Sequence, residues 1–186
     1  MFILPIRPAL LVAVIGCQGD PPAEKVAPQA IEVSSNGAPI AKIVPGRPCR
    51  ATVEGIEVIV GETPFGATVG DAKWTAKTET NGTTFKKNGE PVARIHANQL
   101  FDAQGIPLVK VTDAGEIANG PGRLVRRATV VAGYAPQVEI KSLVSADTFV
   151  VTHTEDVVLA ALLSAPEAEP TIRALVACHL LQAAGS

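Results

Sequence analysis

The chain has 186 residues, a formal net charge of −2, 16 glycines and 15 prolines. Its length favours one domain with a hydrophobic core, and its glycine and proline content favours many turns. The near-neutral charge excludes the basic surface that nucleic-acid binding requires, and no block of like charges indicates attraction to an anionic membrane surface.

The first 16 residues, MFILPIRPALLVAVIG, carry one charge, at Arg7. The uncharged run from Pro8 to Gly16 is too short to span a bilayer, but it suits the apolar part of an export signal. Beyond this run, no apolar stretch approaches the roughly 20 residues that a membrane span needs. We therefore expect residues 1–16 to be an export signal that is removed.

The residues that end this run, Val14-Ile15-Gly16-Cys17, resemble the lipobox of bacterial lipoproteins. The resemblance implies that Gly16 is the small residue at the cleavage site and that Cys17 carries diacylglycerol and a further acyl chain. Several acyl chains anchor a protein stably, whereas one chain is marginal. Gln18 follows the cysteine, and in the common sorting pattern of the family this implies the outer membrane. The alternative is an ordinary export signal, which would release the protein without lipid.

Residues 17–30 are rich in proline and polar residues and show no hydrophobic periodicity. Such a sequence is typical of an extended linker. The sequence therefore predicts a signal peptide (1–16), a tether (17–30), a β-repeat domain (31–153) and a C-terminal helical segment (154–186).

A short motif recurs through the middle of the chain. Its core has seven positions. The first is Gly, the second is any residue, the third is usually Pro and the fourth is aliphatic. The fifth is usually Ala or Val, the sixth is basic, and the seventh is aliphatic in three of the four copies. The copies are IEVSSNGAPIAKI (31–43), TTFKKNGEPVARI (83–95), QLFDAQGIPLVKV (99–111) and EIANGPGRLVRRA (116–128), with a weaker fifth candidate at 61–67.

Each copy predicts a β-hairpin. Asn-Gly or Gln-Gly in the first three copies supplies a residue that tolerates the positive φ that a tight turn needs. The proline suits the start of the return strand, and the residues after it alternate as in a half-buried strand. The motif resembles the Gly-centred hairpin repeats of many uncharacterised bacterial surface proteins, which implies an architecture and no activity. Copies that share one apolar face predict a mainly β fold, an antiparallel meander or β-roll.

One basic residue in each copy is predicted to lie on the same face; these residues are Lys42, Arg94, Lys110 and Arg126. We expect a solvated face of mixed charge, and the alternative is a row that binds an anionic partner. An envelope protein or a polysaccharide is the expected kind of partner.

Further strands are predicted in and between the copies, at 52–60, 72–78, 124–132, 137–144 and 149–152. The alternation in 72–78 places Trp74 on the inward face. The residues from Gly133 to Pro136 are the predicted turn between two of these strands.

The pattern becomes helical from Thr154, which is a candidate N-cap for a first helix. The segment from Ser164 to Glu167 has the spacing of a capping box for a second helix that ends near Ala183. Pro170 fits this helix only if the helix starts near it. The apolar stripe of this helix runs from Ile172 to Leu180. We expect both helices to pack on the sheet, and the alternative for the second helix is a partner-binding role.

Two cysteines, Cys49 and Cys178, remain once Cys17 is assigned to lipid. An exported protein meets an oxidising compartment, in which such a pair can form a disulfide. The alternative is that both are buried as small apolar side chains. The sequence leaves both open, because it does not fix the distance between the two Cα atoms.

No pattern of catalytic, cofactor-binding or metal-binding residues is present. The chain lacks a phosphate-binding glycine loop and CxxC or HExxH motifs, and the histidines, His96, His153 and His179, are far apart in sequence. We therefore expect a non-enzymatic lipoprotein of the cell envelope, without cofactor, that has a structural or binding role. The alternatives are a secreted or periplasmic binding module and, third, a hydrolase whose catalytic residues the sequence does not identify. A deep polar pocket around His153 or His179 would favour the hydrolase.

Overall fold

The computed structural model describes residues 29–61, 65–120 and 122–184, which form fourteen β-strands and two α-helices. The predicted fold class, an antiparallel meander followed by two helices, is confirmed. The strands are β1 Ile31–Ser35, β2 Ala38–Val44, β3 Cys49–Val53, β4 Ile56–Val60, β5 Gly66–Val69, β6 Ala72–Glu79, β7 Gly82–Lys87, β8 Glu90–His96, β9 Gln99–Asp102, β10 Pro107–Val111, β11 Glu116–Asn119, β12 Arg123–Val131, β13 Gln137–Ser142 and β14 Thr148–Thr152. The helices are α1 Val157–Leu163 and α2 Pro170–Ala184.

The sheet is a meander that returns on itself. Apart from β4 and β5, strands adjacent in sequence pair antiparallel, and β1 also pairs with β14, with Val33 opposite Val151. The two edge strands are therefore β4 and β5, which meet at a bridge between Gly61 and Gly66. The result is a nearly closed wall, which we call the rolled sheet.

The two helices lie inside the rolled sheet. α1 contacts β10, β12 and β13, whereas α2 contacts β2, β3 and β4. Every residue from Leu159 to Leu163 and from Thr171 to Cys178 is buried. The helices pack against the sheet as expected, but they bury all sides and not one stripe, as helices enclosed by other elements do. Neither helix has the length and apolar character that crossing a membrane would require, within the described residues.

The connections between strands lie alternately at two ends of the rolled sheet. The turn end carries the connections β1–β2, β3–β4, β5–β6, β7–β8, β9–β10, β11–β12 and β13–β14. The opposite end, the helix end, holds the start of β1 and the start of α1. α1 runs from the helix end to the turn end and α2 returns, so that the two helices form a hairpin inside the wall.

The four repeat copies share a β-bulge three residues after the glycine. The register shifts leave one extra residue in each return strand: Ile40, Val92, Leu108 and Val125. A bulge interrupts the simple alternation of a strand. In each copy the residue after the bulge is buried, and the next residue is the basic one that points outward.

The fourth copy corrects the predicted basic face. Its residue after the bulge is Arg126, where the first copy has Ala41, and Arg126 is only 4% exposed. The outward basic residue of this copy is Arg127, which is exposed. The prediction that Arg126 lies on the exposed face is therefore wrong, because Arg126 is four residues after its glycine, whereas Lys42, Arg94 and Lys110 are five residues after theirs.

Local turns explain where the predicted boundaries differ from the structure. The predicted strand 52–60 is split between β3 and β4, because Glu54 and Gly55 both have positive φ and form a two-residue hairpin turn. The inward position of Trp74 is confirmed, since that residue is 3% exposed.

The start of α1 differs from the prediction, and so does the use of the capping box predicted before the second helix. The N-cap of α1 is Asp156, whose carboxylate accepts from the N–H groups of Val158 and Leu159, whereas Thr154 accepts from the Asp156 N–H. α2 begins at Pro170. The predicted capping box from Ser164 to Glu167 is therefore the connection between the helices.

Candidate functional site

The interior of the rolled sheet is filled by the helical hairpin, which a buried arginine of the wall holds at the turn end. Arg126 donates from Nη1 to the Ser164 carbonyl over 2.9 Å and from Nη2 to the Glu167 carboxylate over 2.5 Å. Glu167 is also mostly buried. The guanidinium therefore binds both the end of α1 and the connection that follows it.

A second buried arginine lies on a helix and binds a residue of the sheet, the reverse of the arrangement at Arg126. Arg173 of α2 donates to the Leu163 carbonyl over 3.2 Å and to the Glu54 carboxylate in the β3–β4 turn. Its side chain is 2% exposed, whereas Glu54 is about half exposed. Two ion pairs thus join the helical hairpin to the turn end of the rolled sheet. In one pair the arginine lies on the sheet, and in the other it lies on a helix.

At the helix end, the predicted cysteine pair joins α2 to the sheet. The sulfur atoms of Cys49 and Cys178 lie 1.97 Å apart and the Cα atoms 5.7 Å apart, at a sequence separation of 129. Both residues are fully buried. Of the two alternatives that the sequence left open, the structure has the disulfide.

His179 lies next to this disulfide in an apolar setting. Its Nε2 is 3.0 Å from Thr83 Oγ1, and its ring makes edge contacts with Phe65 and Phe85 at centroid distances of 5.6 and 5.9 Å. Desolvation by this burial lowers the pKa of His179, which favours the neutral ring. The partly buried ring packs against Phe65 and Phe85 as an aromatic side chain does.

The residues of the hydrolase alternative have separate structural partners. His153 Nδ1 lies 2.8 Å from the Ala30 carbonyl oxygen, at the start of the sheet. The sulfur of Cys178 is bonded to Cys49. Within the described residues, no group of three or more His, Cys, Asp or Glu side chains could hold a metal ion.

The outward basic residues lie among acids and aromatic rings. Lys42 is 2.8 Å from Glu32, and Arg127 is 3.2 Å from Glu116 on the neighbouring strand. Arg94 lies over the ring of Phe101, 4.9 Å from its centroid. Exposed pairs of this kind contribute little to stability, and they give the face a mixed charge.

A groove of about 460 Å³ lies where the two edges of the sheet meet, and we call it the seam groove. It is lined by Ile59, Phe65, Gly66, Ala67, Thr68, Lys73, Trp74 and Thr75. A groove of this volume is within the range of ligand sites in proteins.

The backbone of β4 faces this groove. Val53 and Ile56 close the two-residue β3–β4 turn, so the residues of β4 that bond to β3 are Ile56 and every second residue after it. The N–H and C=O groups of Glu57 and Ile59 therefore point into the seam. Among the described residues, the hydrogen bond across the seam is Gly61 N–H to the Gly66 carbonyl, at 2.9 Å.

Trp74 lies in the wall of the seam groove and is the single tryptophan of the chain. Its indole Nε1 is buried and has no hydrogen-bond acceptor in the described part of the protein. Buried polar groups normally have a partner, and this donor is available to a water molecule or to another acceptor in the groove.

The predicted lipidation and cleavage residues, Cys17 and Gly16, lie outside the described residues. The seam groove was not predicted, because a repeat pattern does not indicate which two strands fail to pair. Comparisons with protein-family models, with curated proteins and with solved structures found no match to this chain.

Proposed function

We propose that the protein is a lipid-anchored component of the bacterial cell envelope with a non-catalytic structural or binding role. The arrangement of the three cysteines carries this proposal. Cys17 stands in a segment that resembles a lipobox, and Cys49 and Cys178 lie at disulfide distance in the core. Disulfides persist in exported proteins and are rare in the cytosol, so the pair supports the export that the N-terminal segment predicts.

The fold places the proposed anchor at one end of the domain. β1 starts at Ile31 at the helix end, so the tether reaches the rolled sheet there. Fourteen residues, 17–30, span at most about 50 Å when extended. The tether would then leave the domain at the helix end and let it stand off the membrane, which by the residue at position 18 is the outer membrane.

A binding role would use the outside of the rolled sheet. The inside is filled by α1 and α2, which are buried on every side. A partner protein or polysaccharide of the envelope would therefore contact the outer face or the seam groove.

Replacement of the lipidated residue tests the anchor. We expect the native chain to incorporate labelled palmitate and to fractionate with membranes, and the Cys17→Ser variant to lose both. The Cys49→Ala/Cys178→Ala variant is the matched control, because it loses two cysteines and should keep the label. Unchanged labelling of Cys17→Ser would overturn the proposal, and a mature protein with no lipid mass would favour the secreted alternative.

A further inference from the structure

We infer that the turn end of the rolled sheet carries a surface that docks on the phospholipid membrane to which the protein is anchored. The surface, which we call the turn-end patch, consists of four exposed aliphatic residues: Ile106, Leu124, Leu143 and Val144. The inference rests on the lipid anchor proposed above, because the anchor brings the patch to a membrane.

Strand pairing brings the members of the patch together. Leu143 donates its backbone N–H to the Val125 carbonyl over 2.8 Å, so it lies beside Leu124 at the start of β12. Val144 follows in the same connection, and Ile106 lies on the neighbouring hairpin, because β10 pairs with β11. These aliphatic side chains are between 37% and 58% exposed. A cluster of exposed aliphatic residues indicates an interaction surface.

Two cations lie behind the aliphatic residues. Lys141 precedes Leu143 by two residues and lies directly opposite Arg127 on β12. Their acidic partners, Glu116 and Glu139, lie level with them or farther from the turn end. Two residues of a strand span about 7 Å, and the headgroup layer of one leaflet is about 5–8 Å thick. With the aliphatic side chains at the acyl boundary, both cations would lie among the phosphate groups, which bind them well.

The charges beside the patch also favour phosphate groups. Arg123 is exposed next to Leu124. The acid of the β13–β14 connection, Asp147, accepts from Asn36 of the β1–β2 turn over 3.0 Å, on the side away from β12. The cations come from β12 and β13 separately, which is why the sequence contains no block of like charges.

The tether allows the turn end to reach the membrane. Residues 17–30 join the rolled sheet at the helix end and span at most about 50 Å. The longest strand, β12, has nine residues and is about 30 Å long. The tether is therefore longer than the wall is high, so a domain held at Cys17 can place its turn end on the same membrane.

A fluorescent label at each end of the domain tests the inference. The acylated chain is reconstituted into vesicles of phosphatidylcholine and phosphatidylglycerol. Ala146→Cys carries the dye NBD in the β13–β14 connection at the turn end, and Ala132→Cys carries it at the helix end; both alanines are exposed. The native cysteines do not react with the dye, because Cys17 carries lipid and the other two form the disulfide.

The two labels should report different surroundings. We expect the emission at position 146 to shift to shorter wavelength in vesicles and to be quenched by nitroxide-labelled lipids. The emission at position 132 should stay as in water, although Val130 and Tyr134 are exposed at that end. The membrane would then contact the turn end and not the helix end.

Substitutions in the patch test which side chains carry the contact. Leu124→Ser/Leu143→Ser should lower the ratio of docked to undocked domain at least about tenfold, because each leucine loses its transfer out of water. Arg127→Ser/Lys141→Ser should lower it about fivefold for each cation on vesicles with phosphatidylglycerol. Val44→Ser is the matched control, since Val44 is exposed at the helix end, and it should change nothing.

Emission at position 146 that stays as in water, or equal shifts at the two positions, would overturn the inference. A shift at position 146 that needs no vesicles and grows with protein concentration would assign the patch to a second copy and also overturn it. If the native chain takes up no palmitate, the anchor fails separately. The labelled chains with Cys17→Ser are then floated with preformed vesicles. Flotation that Leu124→Ser/Leu143→Ser abolishes would support the patch, and no flotation would overturn it.

Discussion

At the scale of single residues, Arg126 is a basic side chain at an inward position of the repeat. The residue after each bulge points inward, and the other three copies have Ala41, Ala93 and Val109 there. Arg126 instead fills the position with a charge that needs Glu167 and the Ser164 carbonyl as partners. An inward arginine is therefore tolerated in this copy, because the connection between the helices supplies both acceptors.

We expect Arg126→Leu to lower the free energy of unfolding by about 3 kcal/mol, because it leaves Glu167 mostly buried without its partner. Urea unfolding followed by circular dichroism measures this. Arg127→Ala is the control on the exposed neighbour and should change stability by no more than about 0.5 kcal/mol. Equal effects of the two substitutions would contradict the assigned role of Arg126. Adding Glu167→Gln to Arg126→Leu should recover part of the loss.

His179 predicts a pH dependence of stability. Its pKa is lowered by burial in the folded protein, so between the folded and unfolded values the unfolded chain binds more protons. The free energy of unfolding should therefore fall as the pH drops below about 6.5 and level off below the folded pKa. Urea titrations between pH 5 and 8 measure this slope, and His179→Gln should reduce it. A slope that is unchanged in His179→Gln would contradict the assignment.

Residue positions could be predicted where they depend on local pattern. The inward side of Trp74 follows from alternation in 72–78, and the left-handed turn glycines follow from the repeat. The outward position of Arg127 also follows from the repeat, because Arg127 is five residues after its glycine, as Lys42, Arg94 and Lys110 are after theirs. The acceptors that stabilise the buried Arg126 could not be predicted, because they lie about 40 residues away in sequence.

At the scale of elements, the repeats predicted the hairpins but not the position of each helix. Strand pairing between neighbours in sequence is decided by turn chemistry, which Asn36-Gly37 and Asn88-Gly89 display. The predicted capping box from Ser164 to Glu167 failed, because Glu167 pairs with Arg126 in place of a helix N-terminus. A tertiary contact therefore explains why this local capping motif does not begin a helix.

The disulfide is the strongest single link between α2 and the sheet. In the chain-entropy model, closing a loop of this length stabilises the folded state by about 5 kcal/mol, so Cys49→Ala/Cys178→Ala should lower the free energy of unfolding by a comparable amount. Thiol titration checks the bond itself. The Cys17→Ser chain should show no reactive thiol when denatured without reductant and two after reduction. Two reactive thiols before reduction would contradict the bond.

At the scale of the whole molecule, the closure of the sheet on itself depends on contacts that no local sequence pattern specifies. β1 pairs with β14 across more than a hundred residues, with Asn36 also bonded to Asp147 at the turn end. The sequence indicated a meander and two helices, but a meander can be open or closed, and an apolar helix can lie on a sheet or inside it. Which occurs is decided by how many strands curve together and by what fills the interior.

Removal of the helical hairpin should therefore unfold the wall as well. Truncation after His153 leaves the inward side chains of the wall, among them Ile43, Phe85 and Ile140, which are fully buried in the intact chain, without the helices that cover them. We expect the truncated chain to bind the dye ANS and to lose the cooperative urea transition of the intact chain. A peptide of residues 154–186 added under oxidising conditions should restore the transition, because the disulfide and both arginine contacts can re-form. The m-value reports the surface that is exposed on unfolding. If the truncated chain unfolded with the midpoint and m-value of the intact protein, the rolled sheet would be stable without the helices, and the prediction would be wrong.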